Sequence, residues 1–366
     1  MDEKLNILII EPYFDGSHKE FLEGFCENSR HSSHLLTMPA RKWKWRMRAS
    51  AFEMAGRIDE LKSKGQKFDA IFCSDMLNLS ELKGICKAAN LPSVIYFHEN
   101  QFTYPNQVED KRDFQFGITN LSSALAADKV MFNSGYHLED FLSESEKVLR
   151  KMPDFKCLEI LEQIREKSQI TYPGISGEIE SRIPLRNVPR ISWAARWEHD
   201  KNPEDFFLAA RILQEKGIEF RLNVLGQSFA NSPSIFEQAK TEFADIIENW
   251  GFKQSKREYL GVLKDSDIFV STANHEFFGI SALEASSAGC ACAVPNRLAY
   301  PETFQKSELL LYGSTAEDLA ERLETLITDK AFRERNAREA IENAGRFKLA
   351  KTARLIDSEL LKAVQP

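Results

Sequence analysis

Short runs of consecutive apolar residues punctuate the first half of the chain: LNILII (residues 5–10), HLLTM (34–38), FDAIFC (68–73), SVIYF (93–97), KVMFN (129–133) and QITYP (169–173). Most are continuous rather than alternating, the pattern of parallel strands covered on both faces. Helical patterns separate them, among them HKEFLEGFCENS, SAFEMAGRIDELKSKG and NLSELKGICKAAN, the last opening at Asn78 or Ser80 as a cap. This βα alternation predicts a doubly wound sheet.

The pattern lapses over residues 175–190, ISGEIESRIPLRNVPR, which reads as a linker. A second βα series follows: RISWAAR, DFFLAARILQEKG, FRLNVLG, FEQAKTEFADIIENW and KREYLGVLKDS. Next come a strand DIFVST (267–272), a turn with Glu276 and Gly279, a helix over 280–287, a stop at Gly289 and a strand CACAV (290–294). From Ser314 onward the period is almost wholly helical. The expected organisation is an α/β protein with an N-terminal domain over 1–180, a second domain over 187–345 and a final helix in 346–366. Two such domains in tandem leave a cleft at the carboxyl ends of their strands, the usual ligand position.

Composition adds limits. At 366 residues, 43% hydrophobic and 28% charged, the chain suits two soluble globular domains. No apolar run reaches the roughly 18 residues of a membrane span. The acidic start, without a small-residue cleavage site, predicts no signal peptide. Six cysteines without a CxxC pair predict reduced thiols, and so a cytoplasmic protein. The net charge of −7 argues against a general nucleic-acid coat but allows a local basic patch. Oligomeric state is not legible.

The chemistry concentrates first around 276–284. Glu276 and Glu284 lie eight residues apart, about 12 Å if the intervening backbone is helical. The helix N-terminus between them suits an anion. A ligand with hydroxyls at both ends and phosphates in the middle fits, which describes a nucleotide-sugar. Glu284 stands in the apolar stretch SALEASSAG, where an unpaired acid is costly, so a ligand role is favoured over a solvated one. Upstream, Arg196 and Lys201 follow a strand and precede a helix. They are placed to hold a diphosphate, although a solvated loop accounts for them equally well. Gly226 ends the next strand with a weaker claim to the ligand.

Three stretches of the first half stand apart from scaffold. Glu11-Pro-Tyr-Phe-Asp-Gly16-Ser17-His18 reads as a turn opening a helix, suited to approach by donor or acceptor. The same residues are also explained by a Ser17–Glu20 capping box. In the second, Arg41, Lys42, Lys44, Arg46 and Arg48 interleave with Trp43, Trp45 and Met47, pairing phosphate neutralisation with stacking surfaces as a grip on unstacked nucleotides requires. The alternative is a loop with buried indoles, at a domain boundary or a membrane surface. A membrane helix would segregate its Trp and Lys faces, so nucleic acid is favoured. In the third, His98, Glu99 and Asn100 follow the strand SVIYF, where polar groups face the expected cleft.

In combination, R-x4-K, E-F-F-G-I-x-x-L-E-A and G-x-x-x-A-V over 189–301 resemble the donor domain of family-4 retaining glycosyltransferases of the GT-B fold. Ala195, Phe277 and Asn202 stand where that family typically has glycines, and Ala291-Cys292 replaces its G-x-P-V approach. The resemblance implies two Rossmann-like domains facing a cleft, leaving open whether the last helix crosses back to the first. It implies that Arg196 and Lys201 hold the diphosphate and stabilise the leaving nucleotide, the largest electrostatic task of the reaction. It places Glu276 on sugar hydroxyls, the backbone of Phe278, Gly279 and Ile280 near the donor, Glu284 on the ribose, and His98 near the transferred sugar. Gly16 and Gly226 join the donor contacts. Same-face displacement needs no side-chain nucleophile, and no metal is expected because the two cations supply the positive charge.

E-P-Y-x-x-G-S-H, M-P-A-R-K-W-x-W-R-x-R and Y-F-H-E-N-Q-x-x-Y-P, with the donor motifs, are very similar to the tRNA-queuosine α-mannosyltransferases across most of residues 5–300. That likeness implies GDP-mannose as co-substrate, no other cofactor, and queuosine at the wobble position of tRNA(Asp) as acceptor, gripped by the basic segment with Glu99 and Asn100. Transfer to a lipid, polysaccharide or small molecule, and RNA binding on a decayed transferase fold, are the competing readings. Retention of Arg196, Lys201, Glu276 and Glu284 together argues against decay.

Overall fold

In a computed structural model, residues 4–105, 114–175, 183 and 185–365 are described. The linker expected at 175–190 lies partly outside them, at 176–182 and 184. The chain forms two compact units, residues 1–174 with 349–366, and residues 175–348.

The first unit runs β1 (Asn6–Phe14), α1 (Gly16–Asn28), β2 (Ser32–Pro39), α2 (Trp43–Ser63), β3 (Ala70–Ser74), α3 (Leu79–Ile85), β4 (Ser93–Phe97), α4 (Gln115–Ala126), β5 (Lys129–Phe132), α5 (Gly135–Lys151), α6 (Glu159–Glu166) and β6 (Ser168–Ile170). Its strands pair in parallel in the order β2-β1-β3-β4-β5-β6. Alternate residues of each strand feed opposite faces. Leu8, Ile10, Ile71, Ile95 and Phe97 pack toward helices α2 to α5. Ile7, Ile9, Phe72, Val94 and Tyr96 pack toward α1 and the last helix. Burial on both faces explains the unbroken apolar runs.

The second unit runs β7 (Arg190–Ala194), α7 (Pro203–Glu215), β8 (Arg221–Leu225), α8 (Ile235–Glu242), β9 (Ile247–Gly251), α9 (Lys256–Lys264), β10 (Ile268–Val270), α10 (Ile280–Ala288), β11 (Ala291–Pro295), α11 (Tyr300–Thr303), β12 (Leu311–Tyr312), α12 (Ala316–Thr328) and α13 (Lys330–Ala344). Its sheet is also parallel, in the order β12-β11-β10-β7-β8-β9. Both units are of the doubly wound type expected. The last helix, α14 (Leu349–Val364), belongs to the first unit. Ile356 and Leu360 are fully buried there, each contributing about 1.5–3 kcal/mol. Asp357 clasps the end of α1, accepting from Ser29 Oγ at 2.6 Å and Arg30 N at 3.0 Å.

Several local expectations change. β1 does not stop at Ile10 but continues to Phe14, because Pro12 falls inside a register shift between Glu11 and Phe14, where a missing N–H costs no ladder bond. The cap of α1 is Asp15 rather than Ser17, its side chain accepting from Gly16 N. The stretch IENWG is strand β9 rather than a continuation of α8, since β8 offers it a free edge. The basic segment is not a loop: from Trp43 it is the opening of α2.

Candidate active site

In the second unit, chemistry gathers beyond the carboxyl ends of β7 and β10. Past β7 the chain is pinned by Trp197, which stacks on Phe236 at 4.1 Å and donates its backbone N–H to Gln227 O. A short helical turn, His199–Lys201, then delivers Lys201, which is 9% exposed. Its Nζ donates to His275 O at 2.6 Å and lies 3.2 Å from Asp200 Oδ2 and 3.6 Å from Glu276 Oε2. Glu276 lies before α10 rather than on it. Its Oε1 accepts from Phe278 N at 3.3 Å and Gly279 N at 3.1 Å. Burial alone would raise the Glu276 pKa, but Lys201 and these amides pull it below the ordinary carboxylate value. Burial, reinforced by Lys201, drops the neighbouring His275 to about 4, so that imidazole is neutral.

Lys201 and Glu276 thus join the turn after β7 to the turn after β10, bringing together two residues that the resemblance named separately. Arg196 is more open and pairs with Glu198 at 3.1 Å. The Phe278 side chain is core, packed edge-on against Phe347, while its carbonyl accepts from Thr303 Oγ1. Gly279 has φ +89°, and a Cβ there would lie 2.8 Å from Tyr300. Ile280 opens α10. At Gly226 a Cβ would lie 1.8 Å from Ala195 O, so this glycine answers to the crossing of two strand ends.

Glu284 on α10 is 4% exposed, but it is not left unpaired: Lys256 at the start of α9 donates to Oε1 at 2.5 Å. The sequence reading missed Lys256, whose only local signal is its place just after the Ser255 cap.

In the first unit, the sheet order reverses between β1 and β3, the topological switch point at which such sheets bind ligands. Glu11 in β1, Asp75 just past β3, His98 just past β4 and His18 in α1 meet there. His18 Nδ1 lies 3.1 Å from Glu11 Oε2. The His18 and His98 rings stack at 4.0 Å with 30° between planes. Asp75 Oδ1 accepts from His98 N at 3.1 Å. Burial would lower His18, yet Glu11, Asp75 and Glu99 raise it above an ordinary imidazole. Burial, helped by His18 and His137, drives His98 well below one. Burial also pushes Asp75 up to about 6. Gly16 has φ +52° with nothing within 4 Å of a Cβ, leaving its backbone open to approach. Asn100 is fully buried and already committed, donating to Asp140 Oδ2 and accepting from Phe102 N, so it shapes the loop after His98 rather than meeting an acceptor. Glu99 is half-buried. Glu11 and His18 delimit a stretch set apart in the sequence without being named as site residues, and Asp75 was not anticipated.

Ligand atoms of Glu11, His18 and His98 lie within 4.8 Å of one another. The two rings are stacked, and His18 Nδ1 already lies 3.1 Å from Glu11 Oε2. An Asp-x-Asp spacing, Asp265 and Asp267, lies at the opposite, amino end of β10 and is bound by Arg186 and Arg190.

The opening of α2 is basic and uncapped: Lys42 makes no side-chain cap bond and no acid follows in the first turn. Arg41, Lys42, Lys44 and Arg48 are exposed, whereas Arg46 is half-buried and donates to Pro39 O. The helix separates the two indoles. Trp43 packs against Tyr104 and Phe116 at 5.5 and 5.3 Å, while Trp45 is 63% exposed. Phe52, one heptad beyond Trp45 on the same stripe as Lys44 and Arg48, is 59% exposed and was not anticipated.

Residues 6–175 match the family described as tRNA-queuosine alpha-mannosyltransferase N-terminal, and residues 183–346 match Glycosyl transferases group 1. A Drosophila melanogaster tRNA-queuosine alpha-mannosyltransferase is 37% identical over 322 residues, 84% of this chain and 83% of that protein. A GDP-mannose-dependent alpha-(1-6)-phosphatidylinositol dimannoside mannosyltransferase of Mycobacterium tuberculosis is 22% identical over 71% of this chain and 65% of its own length. Among solved structures, sucrose-phosphate synthase from Thermosynechococcus elongatus superposes with a TM-score of 0.74 at 15% identity, covering 97% of this chain and 98% of that one. Anabaena Alr3699/HepE in complex with UDP superposes with 0.72 at 14%, covering 98% and 100%. These structural likenesses establish the fold, GT-B.

Proposed function

The chain belongs to the tRNA-queuosine α-mannosyltransferase family of GT-B glycosyltransferases, and on that premise we propose that it moves mannose from GDP-mannose onto queuosine at the wobble position of tRNA(Asp), with retention at the anomeric carbon. The observation carrying the donor side is the junction of Lys201 and Glu276. A buried ammonium held by a carboxylate and a carbonyl is pre-positioned charge, which acts on a leaving diphosphate at little reorganisation cost. Arg196, less constrained, closes on the same phosphates. Glu276 keeps its charge through Lys201 and two amides and takes sugar hydroxyls as an acceptor. Glu284 receives the ribose.

The acceptor side rests on the first unit. The exposed cations of α2 engage RNA phosphates, Trp45 and Phe52 offer stacking faces, and Trp43 holds the helix in place. His98 serves the reacting end. The reaction proceeds without a metal ion, Arg196 and Lys201 supplying the positive charge; full activity in EDTA is expected, and loss restored by Mg²⁺ would contradict it. No helix among the described residues is long and apolar enough to cross a membrane, which fits work in the cytoplasm on free tRNA.

The test is incubation of queuosine-containing tRNA with separate nucleotide-sugars, followed by nucleoside mass analysis. A hexose gained only with GDP-mannose supports the reading. Transfer from another donor overturns the sugar assignment, and no transfer from any donor overturns the function.

A further inference from the structure

We propose that His18, paired with Glu11, is a positioning residue that keeps the His98 ring uncharged and fixed in orientation for its contact with substrate. The inference rests on the assignment of His98 to the reaction.

The geometry allows one charge between the two imidazoles and selects its owner. The rings stack at 4.0 Å, a separation at which two cations in a buried site repel strongly. Glu11 is fully buried and has its Oε2 on His18 Nδ1 at 3.1 Å, while its Oε1 accepts from Tyr13 N at 2.8 Å. A buried carboxylate held this way demands a positive partner, and His18 is the imidazole in contact with it. The charged and titratable groups facing the pair are Glu11 and Tyr13 from β1, Asp75 past β3 and His137 from α5, with Tyr96 and Glu99 flanking His98 on its own segment. The carboxylates among them favour a charge on His18, and both other imidazoles oppose one on His98.

Orientation is fixed as well. Phe21 meets the His98 ring edge-on at 5.2 Å, Tyr96 lies at 4.8 Å, and Asp75 holds its backbone N–H. A neutral imidazole keeps one acceptor nitrogen, whereas an imidazolium has only donors. His98 can therefore accept from a substrate hydroxyl under acidic as well as neutral conditions, burial being the first cause of its neutrality and the charged His18, held by Glu11, adding to it.

The experiment uses the full chain with two substitutions. His18→Phe keeps a stacking ring and removes its charge; Glu11→Gln keeps an acceptor and removes the anion. Transfer from GDP-mannose to queuosine tRNA is followed against pH, alongside NMR titration of ring-labelled histidine assigned with His98→Gln. In the wild type no acid limb is expected near 6.5. In either variant the His98 titration moves up from its wild-type position, burial still holding it below an ordinary imidazole, so an acid limb in kcat appears at higher pH than in the wild type, with only a modest loss at alkaline pH. A loss equal at every pH means the pair is merely structural and overturns the proposal, as does a His98 titration unchanged in both variants. Absence of transfer by the wild type would overturn the reading of function, while the NMR titration would still decide the coupling.

Discussion

Lys256 Nζ donates to Glu284 Oε1 at 2.5 Å, and this contact alters what the acid on α10 means. From sequence, an acid among alanines and serines favoured a ligand role over a solvated one. In the structure a lysine 28 residues away already answers it, so the burial of this carboxylate is accounted for without a ligand. Lys256→Met is expected to destabilise the protein by about 1–3 kcal/mol, because a carboxylate with little solvent access loses its donor. Adding Glu284→Gln should recover most of that loss in urea unfolding while leaving the donor KM raised. A double variant as unstable as Lys256→Met alone would show that the two side chains are not coupled.

Glu276→Gln keeps an oxygen for Phe278 N and Gly279 N but removes the charge beside Lys201. The expected result is a near-normal melting temperature with kcat lower by about 10²–10³-fold, the usual range for one preorganised electrostatic contact. Glu276→Ala should in addition lose the turn's internal acceptor and about 0.5–2 kcal/mol of stability. Rate losses below tenfold in both would remove Glu276 from the site.

The two tryptophans of α2 should separate by phenotype. Trp43→Ala opens a hole against Tyr104 and Phe116 and should cost about 1–3 kcal/mol, less than a fully buried indole. Trp45→Ala and Phe52→Ala should leave stability within about 0.5 kcal/mol, yet weaken tRNA binding by about 1–3 kcal/mol per lost stacking face. Replacing Arg41, Lys42, Lys44 and Arg48 together should flatten the salt dependence of binding, which equal slopes for variant and wild type would contradict.

Gly226→Ala discriminates packing from donor contact. Its Cβ would enter Ala195 O at a backbone φ of +153°, so a stability loss above about 1 kcal/mol is expected even without ligand. A variant as stable as wild type with a raised donor KM would restore Gly226 to the donor site.

Asp75 sets a pH dependence with a defined sign. Its folded pKa is about 6 against an ordinary 3.8. The folded chain therefore holds this proton more tightly: its stabilisation is complete below 3.8 and is lost as pH rises through about 6, a change of about 3 kcal/mol. Asp75→Asn carries no such dependence. Its unfolding free energy relative to wild type should improve between about pH 4 and 6.5 and then level off, and a difference independent of pH would contradict the burial argument.

What could be read from sequence was what depends on neighbours along the chain. Ile7–Ile10 and Val94–Phe97 are buried on both faces, so their apolar runs announced parallel strands, and Gly289 ended α10 where a left-handed residue was needed. β1 was cut short because Glu11 and Pro12 look like terminators until the bulge beside β2 is seen. The opening of α2 ahead of Ser50 was not read as helix because its exposed Trp45 stands among cations and erases the apolar period of an ordinary surface helix. Lys201 and Glu276 were each named through the family resemblance, but not their ion pair. The Glu11, His18, Asp75 and His98 group was not anticipated, since its members meet only when β1, β3 and β4 lie side by side.

The central claim is tested most directly by giving the purified protein GDP-mannose and two preparations of one tRNA(Asp), carrying queuosine or unmodified guanosine at the wobble position, and analysing the nucleosides by mass. The account predicts one hexose added to queuosine and none to the guanosine form. Equal labelling of both tRNAs, or an unchanged queuosine peak, would contradict it.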